Sequence, residues 1–345
     1  MMKDKRNILF LFLLFCLFRQ SNAQDVEFSQ FYANKIYLNP AFAGSDYDAR
    51  VAIGYRNQWP EINKAFITYS AAYDQYVDAL NCGLGLHLLQ DQQGDGLLNT
   101  TVVSGMYSYS LNVTRELSFR AGLQASLIQR KLNDKNLTFP DMIDEYYLYG
   151  YINPITGENM PSDLSRTYPD FSAGIIGTYK SWFVGFSSHH LSEPNGAFKD
   201  ESNYSKLPRK YTFHCGVTIP LHSRGLHQVS STLSPSFLYQ QQRTNRQLNY
   251  GLYLVRNFFM VGAWYRDNLE LEYDAVILQA GISKDWWQVA YSYDKTVSKL
   301  IHTNTGAHEI SLLLRFVNYK KSNGACRENY LRRKRRIKAI RCPRF

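Results

Sequence analysis

The chain has 345 residues, of which 15 % are aromatic, including 26 Tyr and 20 Phe, and its formal charge is +10. That length holds one large domain or two ordinary ones. Beyond the first 23 residues no apolar run approaches the roughly 20 residues a membrane helix needs, which excludes a helical membrane protein. The charge is segregated, since residues 319–345 alone carry +10, residues 1–23 carry +3 and residues 24–318 come to −3.

The first element is an export signal. Lys3, Lys5 and Arg6 precede the 11-residue apolar run 8–18, and Ser21-Asn22-Ala23 offers a small-residue cleavage site before Gln24. The run is too short to anchor the chain, so residues 1–23 are expected to be a cleaved signal peptide. An exported, Tyr-rich chain without helical spans points to a closed β-barrel, the other structure that satisfies its backbone in lipid.

Residues 24–48 precede the first alternating run and are read as an N-terminal periplasmic or plug segment. Asn39-Pro40, like Trp59-Pro60 further on, is turn chemistry that stops strand pairing.

From residue 49 the period is two rather than 3.6. Leu84, Leu86 and Leu88 alternate with Gly83, Gly85 and His87, and Ile310, Leu312, Leu314 and Phe316 alternate with Glu309, Ser311, Leu313 and Arg315. The pattern predicts about 14 strands within 49–317, near 49–59, 64–76, 79–92, 97–112, 115–131, 169–180, 182–190, 209–220, 228–241, 246–256, 258–266, 273–284, 286–294 and 306–317. The fold class is therefore all-β, a transmembrane antiparallel β-barrel in the outer membrane. Long connections (132–168, 191–208, 295–305) fall after odd-numbered strands and tight turns after even ones, as outer-membrane barrels sort their loops. That parity puts the long loops outside and both termini on the periplasmic side. A soluble sandwich has no reason for it.

The chemistry-bearing residue types form no catalytic set. His189 and His190 are adjacent on a strand, where neighbours point to opposite faces, so they are not expected to share a metal. His308-Glu309 lacks the second His of a helical zinc motif. No nucleophile elbow or phosphate-binding glycine loop occurs, and neither an enzyme nor a cofactor or metal site is expected. Cys82 and Cys215 sit in strand runs as small apolar residues, and no cysteine pair has zinc-site spacing.

Residues 318–345 form a basic tail, expected in the periplasm. Its Arg327, Arg332, Arg333, Lys334, Arg335, Arg336, Lys338 and Arg341 make it either a solvated appendage or a docking site for an anionic partner such as peptidoglycan, lipid headgroups or an acidic protein. Export removes nucleic acid from the candidates. In an oxidising compartment Cys326 and Cys342 are a candidate disulfide, closing a loop of about 15 residues worth ~3 kcal/mol of unfolded-state entropy.

Five segments in order carry a resemblance to a known family: FSQFYANKIYLNPAFAG (28–44), YRNQWP (55–60), GFSSHHLSEPN (185–195), LPRKYTFHCG (207–216) and AWYR (263–266). Together they resemble the PorP/SprF family, accessory outer-membrane proteins of the type IX secretion system. The resemblance implies a 14-stranded barrel tied to protein secretion, gliding motility or attachment of a surface adhesin. Its implied partners are periplasmic or peptidoglycan-associated secretion proteins, or one secreted surface adhesin. The basic tail tilts the choice towards the periplasmic partners. A passive porin-like channel for small solutes is the competing reading, because a 14-stranded barrel is wide enough to conduct unless something fills it.

Overall fold

A computed structural model describes residues 25–316, apart from Tyr47, 63–64, 134–136, 138–163, 199–205, 225–227, 270–274, Asp285 and 298–305. The predicted tail and its candidate Cys326–Cys342 disulfide lie outside the described residues.

The strands run in chain order as β1 (Ala49–Gln58), β2 (Phe66–Val77), β3 (Cys82–Gln93), β4 (Leu98–Asn112), β5 (Leu117–Leu132), β6 (Ser165–Tyr179), β7 (Trp182–His189) and β8 (Lys210–Val217). They continue as β9 (Ile219–Arg224), β10 (Gln228–Gln242), β11 (Asn245–Arg256), β12 (Phe259–Asn268), β13 (Ala275–Ser283), β14 (Trp287–Thr296) and β15 (Ala307–Phe316). Each is antiparallel to its neighbours, and β1 pairs with β15 from Ala49↔Phe316 to Gln58↔Ala307, which closes the sheet. Fifteen segments make 14 wall strands, because β8 and β9 both pair with β10 and form one strand interrupted at Thr218. Closure leaves no edge for another chain to pair with.

Two boundaries differ from the sequence pattern by four residues. β6 begins at Ser165 rather than 169, because Ser165 to Tyr168 extend the ladder opposite Ile128 to Lys131. The eighth wall strand runs past 220 to Arg224, since Ile219 to Arg224 continue the ladder with β10 beyond Thr218, as far as Gln228.

The two faces separate as the alternation requires. Leu84, Leu86 and Leu88 are 47, 48 and 45 % exposed and point outward, as does Ile310, while His87 and Glu309 are buried. Outward Tyr, Phe, Leu, Ile and Val from every quarter of the wall form the belt that lipid covers. The strands end in turns of two to four residues at one end of the barrel, such as Lys180-Ser181 and Asn257-Phe258, and all the long connections lie at the other.

One expectation fails at the N-terminus. β1 starts at the short-turn end, but the chain before it runs back through the lumen, and Asp25 lies among residues at the long-loop end. The cause is apolar content. Phe28, Phe31, Tyr32, Ile36, Leu38, Ala41 and Phe42 are all buried, and the lumen of a 14-stranded barrel has room for them.

Candidate functional site: the plugged lumen

The N-terminal segment is a compact irregular thread with one helical turn, α1 (Lys35–Leu38), followed by a 3-10 turn at Pro40–Phe42. Its break has a local cause. Pro40 forces Asn39 out of helical geometry to φ −155°, ψ 121°, and Pro itself starts the next turn without needing a hydrogen-bond donor. The Asn39 side chain then caps that turn, accepting from the Ala41 amide at 2.9 Å. Its other end donates to the backbone oxygens of Ile175 at 3.3 Å and Phe186 at 3.1 Å, which ties the plug to β6 and β7.

The wall is cut to receive this turn. A β-carbon at Gly122 would lie 2.3 Å from the Ala41 amide nitrogen, one at Gly174 2.0 Å from Asn39 Oδ1, and one at Gly83 2.0 Å from the Ala43 carbonyl oxygen. Only glycine lets the two backbones approach so closely. The Ala43 carbonyl also accepts from Ser108 Oγ at 2.7 Å and Arg120 Nη1 at 3.2 Å. Gly44 turns the chain towards β1 with φ +59°, and its amide donates to Asp74, which also pairs with Arg50 at 2.7 Å.

A second anchor lies nearer the long-loop end, on β1, β12, β14 and β15. Arg56 reaches Asp294 and Glu309, each at 3.2 Å, and Arg266 reaches Asp294 at 3.2 Å. The plug closes this cluster. The Ser29 amide donates to Glu309 at 2.7 Å, Ser29 Oγ touches Asp294 and Arg56, and Gln279 donates to the Ser29 carbonyl at 2.7 Å. Buried charges are tolerable only when paired and hydrogen-bonded, and here the plug supplies part of the pairing. Removing the plug would therefore strand charged groups as well as expose apolar ones.

The third anchor is the outermost. His190 bridges Asp25 of the plug at 2.8 Å and Asp170 of β6 at 2.9 Å. Burial opposes the charge on the imidazole, but Asp25 and Asp170 outweigh it and its pKa is pushed up to about 10. Burial likewise opposes the Asp25 carboxylate, yet His190 and then Lys210 hold it well below the usual carboxylate range.

Here the sequence reading of the histidine pair is corrected. His190 has φ +57°, so strand alternation ends at His189 and both rings turn to the lumen side, their centroids 6.5 Å apart. His189 donates to the Leu38 carbonyl at 3.3 Å. Among the described residues no group of three or more His, Cys, Asp or Glu is placed to hold a metal ion. The anchors Asp25, Ser29, Arg56, Asp170, Arg266, Asp294 and Glu309 escaped the sequence reading. For the five on the wall a visible signal was present: charged residues at inward positions of strands otherwise lined with Ser, Thr and Gln.

Comparison with known proteins bears on most of the chain. The family described as type IX secretion system membrane protein PorP/SprF matches residues 20–314. No curated relative matches. Among solved structures, the outer membrane protein Omp33 of Acinetobacter baumannii is similar at TM-score 0.44 and 11 % identity, covering 79 % of this chain and 100 % of its own. The toluene transporter TbuX of Ralstonia pickettii is similar at TM-score 0.47 and 9 % identity, covering 82 and 93 %.

Proposed function

Because the chain belongs to the PorP/SprF family of type IX secretion system membrane proteins, we propose that it is a non-catalytic accessory barrel of that machinery. In this reading it docks periplasmic or peptidoglycan-associated partners at its short-turn end, or anchors a secreted surface adhesin at its long-loop end. It resides in the outer membrane, its closed strand wall girdled by apolar side chains.

The observation that carries the accessory reading is the plug. A passive channel needs a continuous polar lumen, whereas here the chain's own residues 25–46 run through the barrel, and the turn at Asn39 to Ala43 seats directly against glycines of the wall. A barrel closed by itself offers its rims and appended segments, not its bore, and these are the parts that meet other proteins. The basic tail is the candidate on the periplasmic side, since β15 ends at the short-turn end and 29 residues follow Phe316. Its charge is screened over about 8 Å at physiological salt, so its target must lie close to the membrane.

The test pairs two measurements on the purified mature protein. In planar bilayers the full chain should show no steady conductance. In pulldowns from detergent-solubilised membranes it should retain secretion-system partners, which truncation after Tyr319 or reversal of Arg332, Arg333, Arg335 and Arg336 to Glu should release. Porin-like conductance from the full chain would return the assignment to a solute channel.

A further inference from the structure

The short-turn rim of the wall is not uniform. The turn between β11 and β12 touches the turn between β13 and β14, since the Ser283 amide donates to the Phe258 carbonyl at 2.7 Å. Phe258, Phe259 and Trp286 of these turns are 56, 65 and 57 % exposed, and the Trp286 and Trp287 rings lie edge to face at 6.3 Å.

Two cations stand among these rings. Arg256 follows Leu252 and Leu254 at alternate positions of β11, and Lys284 follows Leu278 and Ile282 at even positions of β13. The ladder still reaches Lys284, whose amide donates to the Trp287 carbonyl at 2.8 Å. Both residues are exposed and fall on the face that lipid covers. Arg256 pairs with Phe259, which pairs with Ile282, so Arg256 and Lys284 stand two strands apart and two residues along. Their backbones are then about 12 Å from one another, within the joint reach of two long side chains.

Cations placed there call for an anion. Among the described residues neither the Arg256 nor the Lys284 side chain has a hydrogen bond or ion pair. The two turns set these two cations against one acid, Asp285. The exposed acids described on the same rim, Asp78 and Glu116, lie after β2 and β4, and Glu116 is met by Lys180 at 3.6 Å. Exposed Val261, Ile282 and Val289 continue the face into the apolar belt. Aromatic rings at headgroup level, aliphatic side chains on one side of them and uncompensated positive charge beside them match a two-chained lipid with an anionic head. The chain's own basic tail has the wrong sign for this patch. An acidic soluble segment would leave the aliphatic part of the face uncovered.

We propose that the β11 to β14 sector of the rim binds an anionic glycerophospholipid of the inner leaflet, with its phosphate between Arg256 and Lys284 and its chains on the wall beside them. The inference needs the short-turn end to face the periplasm, and it does not rest on the docking of any partner.

Native mass spectrometry of the full mature protein, released from detergent micelles, is run with phosphatidylglycerol and with phosphatidylcholine of equal chain length. Phosphatidylglycerol should bind saturably and on the order of tenfold more tightly. Arg256→Gln and Lys284→Gln should each weaken it about fivefold, the effect of one cation beside an anionic headgroup, and the double variant should bind the two lipids alike. Lys284→Arg, which keeps the charge, should stay within about twofold of the parent, as should Arg115→Gln, which removes an exposed cation from the turn after β4. Heat-modifiable gel mobility verifies that each variant is an assembled barrel. Equal binding of the two lipids by the parent would overturn the proposal, as would a preference that survives the double substitution or falls equally with Arg115→Gln. Displacement of the lipid by inorganic phosphate would also overturn it, leaving an anion patch with no lipid site. Release of pulldown partners by Arg256→Gln and Lys284→Gln at unchanged lipid preference would hand the patch to an acidic protein instead. Conductance and pulldown by the parent do not depend on lipid preference, so failure here is distinct from failure of the accessory role.

Discussion

Adding one methyl group to Gly122 or Gly174 tests the plug contact at its tightest point. Each new β-carbon would meet plug atoms at 2.3 or 2.0 Å, whereas Gly105, on the outer face of β4, has nothing within 4 Å. Overpacking of this kind costs about 1–3 kcal/mol. Gly122→Ala and Gly174→Ala should lower the urea midpoint of the folded barrel, and Gly105→Ala should leave it unchanged. The His190 bridge gives a pH test. A raised imidazole pKa stabilises the plug's outer end fully below about pH 6.5, and that contribution fades as pH rises from there through about 10. The depressed Asp25 carboxylate works the other way, contributing fully above about pH 4 and losing its contribution as pH falls below that. A spin label at Val26→Cys should therefore be least mobile between about pH 4 and 6.5 and loosen towards pH 10. His190→Gln should abolish the alkaline loosening by making the label mobile throughout, and a label that stays fixed to pH 10 would disprove the bridge. None of this was legible in the sequence, because a left-handed residue at 190 cannot be told from one more step of alternation.

Strand by strand, one face was readable and the other was not. Outward Leu84, Leu86 and Leu88 lie where the period of two puts them, because lipid imposes one rule on every outward residue. Inward residues obey their own contacts, and those are with a segment between 27 and 281 positions away. On periodicity alone Gly85 is a tolerant lumen position. In the structure a β-carbon there would sit 3.2 Å from the Ala43 β-carbon and 3.3 Å from that of Met106. Leu86→Arg should cost about 2–4 kcal/mol from the lipid side. Gly85→Arg should also impair assembly, through the plug rather than the membrane. Heat-modifiable mobility compares them, and Gly85→Ala, which meets the plug with one methyl group, should impair assembly less than Gly85→Arg. The eighth strand shows the same limit: its pairing with β10 keeps one register across Thr218 and slips only where His222 meets Ser231, which composition does not announce.

At the scale of the molecule, the sorting of loops by length was legible because turns must be short where strands meet directly. That sorting predicts sidedness. Epitopes placed within 191–208 should be labelled on intact cells, and one at residue 330 only after the outer membrane is opened. Label at 330 on intact cells would invert the orientation. The plug was half legible. Its motif and its Asn-Pro break were visible, but not the direction in which it runs. That direction has a consequence for how the protein is made. The thread enters β1 directly, and β1 bonds to β15, the last strand of the wall. The plug reaches across that joint, since Ser29 meets Arg56 of β1 and Glu309 of β15. It is therefore a clasp on the last seam the wall has to close, and a chain without it must hold that joint by the ladder alone.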